Sequence, residues 1–297
     1  MKEKIILKLK ELVEKEMGKE IGVTTQLKNN GISQTYFYIK ELKASGKPCP
    51  NISIKGEGID AILDGVVTIE EAAEMLVQTF EETKKFEKEL PRLPGKKELL
   101  ESVQFELVNV EKNEEKLKQV PYILFWDMAA TFKSFLTEHH SVPITNKLME
   151  DMQTTVEELA EYARKNIKKT NFEFSSTVDM LIEDMEEHGT KVPESVANAM
   201  RKEAPMYVLR GKYPTGASFL MFPEVFEAFA NEKESDLFII PSSIQELLVV
   251  PANCKRADKE NLKEVLVGQN KEIEQDIVLC DHIFKYSRKY KNITIAL

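Results

Sequence analysis

Disulfide chemistry is scarce in this chain: its three cysteines, Cys49, Cys254 and Cys280, stand at no motif spacing and cannot all pair. Reduced thiols in a cytoplasmic protein are the expectation. Long apolar runs are missing too. The clean ones last about four to six residues, against the roughly 18–20 of a bilayer-spanning helix, so no membrane partner is expected. The opening stretch, MKEKIILKLKELVEKEMG, is charged throughout and lacks the apolar core of a secretory signal, so none is expected there. Basic charge is in deficit, with 41 Lys and Arg against 50 Asp and Glu and a net charge of −9. That disfavours general nucleic-acid binding, which rests on phosphate neutralisation, and leaves room only for a local basic patch.

What is present is globular. The 297 residues are 42% hydrophobic and 31% charged, too apolar for disorder. A chain of this length buries about 75% of the surface its unfolded form exposes, as one large domain or two packed subdomains. There is no internal repeat and no low-complexity tract.

Periodicity then orders the elements. Ile5, Ile6, Leu9, Leu12, Val13 and Met17 share one face of a helix over residues 2–17. A hairpin follows, with runs 21–28 and 32–39 joined by Asn29-Asn30-Gly31. Residues 44–50 read as a loop. Thr68 and Glu71 form a capping box ahead of a helix reaching about Leu90, which Pro91 and Pro94-Gly95 terminate. That break divides the chain into an N-terminal α/β subdomain, 1–94, and a C-terminal α+β subdomain, 95–297. Strands are expected over 103–110 and 122–132, and helices over 145–152 and 156–167, the second boxed by Thr155 and Glu158. Residues 176–202 read as helical with a loop near Gly189. The remainder reads as strands over 206–209 and 217–222, a helix over 224–231, a hairpin over 236–250, and helices over 260–271 and 276–290. Strands gather in adjacent pairs instead of alternating with helices, which points to α+β, with antiparallel or mixed sheets and helices packed on them.

The hairpin at 236–251, DLFIIPSSIQELLVVP, is the most distinctive stretch. Two β-branched runs flank a polar insert, Pro241–Glu246, so Ser242, Ser243, Gln245 and Glu246 are the candidate binding residues. As a nucleophile, neither serine has a local general base, and there is no G-x-S-x-G elbow. Hydrogen bonding within a tight turn is the preferred role. Gly211–Ser218 has the G-x4-G skeleton of a phosphate loop, but Ala217 stands where its lysine belongs and Pro214 removes an N–H, so a connecting turn is expected. Gln26-Leu27-Lys28 resembles part of a metal-nuclease strand, but no aspartate precedes Asp60. Glu138-His139-His140 and Cys280-Asp281-His282 lack the one-turn spacing of helical metal ligands. No cofactor is expected. Residues 282–291 gather four cations and three aromatics without an acid, making Lys285, Arg288 and Lys289 the one candidate nucleic-acid contact. A basic helix terminus, favoured by the helix dipole, is the plainer account of that cluster. Trp126-Asp127 falls inside an apolar strand, where a carboxylate requires a partner; a buried, satisfied Asp127 is preferred over a catalytic one.

Taken in order, several segments resemble a family of Gram-positive bacterial proteins catalogued as domain of unknown function 5688. They are Lys28–Gly31, Val120-Pro121 leading into Trp126-Asp127, Val142–Asn146, the 157–166 helix, Met206–Leu209, Gly216-Ala217, Pro241–Glu246 and Asn270. Two positions depart from the family pattern. Gln245 stands where histidine is usual, and Cys280 stands in a usual Leu-Ser-Asp. Glutamine cannot titrate, which argues against acid–base chemistry at the insert. The resemblance implies carriage on mobile elements, and no activity. The functional expectation is a non-catalytic protein-binding role, such as an acidic inhibitor of a host defence complex. The alternative is a hydrolase or small-ligand site around Ser242, Ser243, Glu246 and Asp127.

Overall fold

A computed structural model describes residues 1–45, 49–54, 56–83, 94–137 and 140–297. The fold is α+β, with three sheets paired antiparallel throughout, and the chain divides into two compact units, Met1–Gly95 and Lys96–Leu297.

In the first unit, helix α1 (Lys2–Met17) buries Leu9 and Val13, one turn apart on a single face. It ends at Gly18, whose φ of 63° suits glycine and whose N–H closes on the Glu14 carbonyl at 3.0 Å. Strands β1 (Ile21–Leu27) and β2 (Ser33–Ile39) pair from Ile21↔Ile39 to Leu27↔Ser33, and the turn between them places Asn30 and Gly31 at positive φ. Helix α2 (Lys40–Ala44) and strand β3 (Ile52–Ile54) follow, then α3 (Gly56–Leu63) and α4 (Ile69–Thr83). The Thr68 capping box is complete. The Glu71 carboxylate accepts the Thr68 N–H at 2.8 Å, and the Thr68 hydroxyl accepts the Glu71 N–H at 3.2 Å. Leu9, Val13, Ile21, Phe37, Leu76 and Phe80 close the core between α1, α4 and the sheet. The expected extension of α4 to Leu90, the break at Pro91 and part of the 44–50 loop lie outside the described residues.

The second unit holds two sheets. Helix α5 (Lys96–Ser102) leads into β4 (Val103–Asn109), α6 (Glu114–Leu117), β5 (Tyr122–Phe125), β6 (Met128–Phe135) and β7 (Ser141–Pro143). These four strands form one sheet, with β6 central. Helices α7 (Asn146–Asp151) and α8 (Val156–Ile167) follow, each capped by a threonine hydroxyl, from Thr145 and Thr155. The Glu158 carboxylate takes the Thr154 hydroxyl instead of completing a box with Thr155. The second sheet runs β13-β12-β10-β11-β9-β8. Its strands are β8 (Phe172–Ser176), β9 (Tyr207–Gly211), β10 (Leu237–Pro241), β11 (Leu247–Pro251), β12 (Phe284–Ser287) and β13 (Asn292–Ile295). Between them come α9 (Thr177–Glu187), α10 (Glu194–Glu203), α11 (Glu224–Glu232) and α12 (Lys259–Glu272).

The β10–β11 hairpin is buried on both faces, which explains its unbroken apolar runs. Leu237, Ile239, Leu247 and Val249 join the large core with Phe105, Phe132, Leu159 and Phe226. Ile240, Leu248 and Val250 point the other way, against Leu262 and Leu266 of α12.

Several sequence expectations are corrected. The single strand expected over 122–132 is a hairpin, β5–β6, turning at Trp126-Asp127 between the pair Phe125↔Met128. The strand expected over 217–222 is a short 3-10 helix, Gly216–Met221, buried along most of its length. Burial, not pairing, satisfies that apolar run. Phe172–Ser176 is a strand that periodicity did not show. The terminal helix expected over 276–290 is instead a loop and the β12–β13 hairpin, in which Phe284 and Tyr286 are buried and Lys285 and Ser287 partly exposed. Alternation at period two over four residues was masked by the surrounding charges. No helix among the described residues is long and apolar enough to cross a membrane.

Candidate functional site

The β10–β11 connection is a closed polar turn. Ser242 is 1% exposed and Ser243 5%. The Ser242 hydroxyl donates to the Glu246 carbonyl at 3.2 Å, with the Glu246 carboxylate at 3.4 Å. The Ser243 hydroxyl accepts the Gln245 N–H at 3.0 Å. The Ile244 N–H donates to the Ile277 carbonyl at 2.9 Å, while its side chain enters the core. Both hydroxyls are therefore engaged within the turn and shielded from solvent. Gln245 is exposed.

Gly216 seats this turn. Its N–H donates to the Gln245 carbonyl at 2.8 Å, and a Cβ there would stand 2.4 Å from that oxygen. The segment Gly211–Ser218 is not arranged as a phosphate cradle, because most of its N–H groups are already engaged. Lys212 donates to Asn171, Thr215 to Tyr213, Gly216 to Gln245, Ala217 to Ile244 and Ser218 to Thr215.

Glu246 faces Arg210, with Nε 2.6 Å from its carboxylate. Arg210 is a residue that sequence reasoning missed; it lies across from Glu173 in the β8–β9 pairing. Beside it lies an open cleft of about 400 Å³ lined by Phe172, Arg210 and Lys212 among others.

A second cluster forms where the two sheets of this unit meet. Trp126 sits at φ 56°, is 42% exposed, and stacks on Phe284 at 4.9 Å and 21°. Asp127 is not buried in a strand but exposed in the turn, where its Oδ2 lies 3.1 Å from His282 Nε2. The structure thus pairs Asp127 with His282 and Glu246 with Arg210. Cys280, on the same segment, is buried, and that burial pushes its thiol up to about 12, so it stays protonated at neutral pH. Asn270 donates to the Cys280 carbonyl at 3.2 Å and to the Asp281 carboxylate at 2.9 Å. Its Oδ1 is buried without a hydrogen-bond partner among the described residues.

The basic cluster lies on the β12–β13 hairpin, so a helix dipole does not account for it. Acids neutralise much of it instead. Lys285 Nζ is 3.0 Å from Asp236, the Arg288 N–H donates to the same carboxylate at 3.0 Å, and Lys291 pairs with Glu227. Burial raises the Asp236 carboxyl, but the Arg288 N–H and the Lys285 ammonium outweigh it and hold the group below its ordinary value. The Arg288 guanidinium reaches Asn231 at 3.4 Å, while Lys289 lies over the Tyr290 ring at 5.1 Å. These acids sit 49 to 64 residues away in sequence, so only the fold reveals the pairing.

No group of three or more His, Cys, Asp and Glu side chains among the described residues is arranged to hold a metal ion. His139 and Glu138 lie outside the described residues. No curated protein and no solved structure matches the chain. A model of a family of unknown function (DUF5688) matches residues 2–288, nearly the whole length, and the protein belongs to that family.

Proposed function

We propose that the protein acts by binding another protein through the surface around Trp126, without catalysing a reaction. The observation that carries this reading is Trp126 itself, the chain's one tryptophan. A positive φ at a bulky residue costs about 1–3 kcal/mol, and such strain concentrates at functional positions. Here it holds a large aromatic ring partly in solvent, with its stack on Phe284 limiting its motion. Preorganised tryptophan is the residue type most enriched at the energetic centres of protein interfaces. Leu124, 64% exposed on the adjoining edge strand β5, extends the apolar surface. Enclosure of Ser242 and Ser243 argues against the hydrolytic alternative, because a nucleophile must reach its substrate.

In the mobile-element setting that the family resemblance implies, a nucleic-acid-handling host complex is the matching partner. Its basic surfaces complement a chain of charge −9. The test uses the full chain with a photo-crosslinking residue in place of Leu124 to identify a partner, and then the emission of the single tryptophan to follow binding. Complex formation should shift Trp126 emission, and Trp126→Ala should weaken binding at least about tenfold, roughly 1.4 kcal/mol. An unchanged emission together with wild-type affinity in the variant would overturn the reading.

A further inference from the structure

We infer that the cavity between the start of β9, the end of β11 and helix α12 binds a free apolar α-amino acid. The cavity has a volume of about 290 Å³. Met206, Val250, Leu262 and Val265 supply its apolar wall, and Val250 and Leu262 belong to the core cluster on that face of the sheet. Arg256 and Glu264 also line it. Both are exposed, and neither forms an ion pair or hydrogen bond among the described residues. Two opposite charges thus share one small cavity without satisfying each other.

That combination selects its ligand. A guanidinium fork matches a carboxylate, and a carboxylate matches an ammonium. A simple anion would meet Glu264, a simple cation would meet Arg256, and an uncharged apolar molecule would engage neither. A zwitterion with an apolar side chain engages all three features. Size narrows it further, since ligand sites start at roughly 300 Å³, and this volume suits one amino acid better than a longer peptide. The N-terminal N–H groups of Glu260 and Asn261 in α12 are not free for a ligand carboxylate, because the Asp258 carboxylate already accepts them at 3.1 and 3.0 Å.

The test is calorimetric titration of the purified full chain with L-leucine, L-methionine and L-phenylalanine. Glycine, N-acetyl-L-leucine and L-leucinamide serve as comparisons. At least one of the three apolar amino acids should bind, and glycine should not. Each capped form should bind at least about tenfold more weakly than leucine or than whichever parent binds best. Arg256→Gln should abolish the preference for leucine over leucinamide, and Glu264→Gln the preference over N-acetyl-leucine. Both side chains are exposed, so the fold should survive each change. Absence of binding by all three amino acids at millimolar concentration, or capped forms binding as tightly as the free ones, would overturn the inference.

Discussion

At the scale of single residues, the constraints are steric and electrostatic. Gly216 has no room for a methyl group, because the Gln245 carbonyl lies where its Cβ would go. Gly216→Ala should therefore destabilise by about 1–3 kcal/mol as the turn is pushed off its seat. Gly268, in α12, has no atom beyond its own helix backbone and chain neighbours within 4 Å of its Cβ position. Alanine there should instead stabilise by up to about 1 kcal/mol, so urea unfolding of the two variants should shift in opposite directions. Asp236 ties β10 to the β12–β13 hairpin through Lys285 and the Arg288 N–H. Its folded-state pKa lies below its ordinary value, so its contribution is complete above the unfolded pKa and is lost as pH falls through the folded one. Asp236→Asn should cost about 1–3 kcal/mol at neutral pH. The gap between variant and parent should narrow below about pH 4, as denaturation at a series of pH values would show.

At the scale of elements, the β10–β11 hairpin lies between two apolar clusters of its unit. Ile240 faces α12 and Val249 faces the large core, and both are fully buried. Ile240→Asp or Val249→Asp should each cost about 3–5 kcal/mol, since each strands a charge without a partner. Melting temperatures equal to the parent's in both variants would contradict that placement. This hairpin was legible from its sequence because both faces are apolar and Pro and Ser bound the runs. The β5–β6 hairpin was not. Its turn residues, Trp126 and Asp127, carry none of the Gly or Asn that announce a two-residue turn, and tertiary stacking on Phe284 holds the turn in place. The β12–β13 hairpin was hidden for a related reason. Its charges look like a helix end until Asp236 and Glu227, from other elements, are brought beside them.

At the scale of the whole molecule, each unit has a core of its own. Leu9, Phe37 and Phe80 belong to one, and Phe105, Phe226 and Ile239 to the other. A fragment spanning Lys96–Leu297 should therefore unfold cooperatively by itself, with a single transition in calorimetry. A broad, non-cooperative melt would show that this core needs the first ninety-five residues. By itself, the sequence determined the α+β class, the first helix and hairpin, the caps at Thr68 and Thr155, and the buried 236–250 hairpin. It also carried the family resemblance. Those features depend on local periodicity and turn chemistry, which neighbouring residues specify. Only the tertiary structure decided that Ser242 and Ser243 are enclosed, that Asp127 meets His282, that Arg210 meets Glu246, and that Arg256 and Glu264 share a cavity. The Asp127–His282 and Arg210–Glu246 pairings join residues distant in the chain, and a carboxylate's partner is chosen by which surfaces the core brings together.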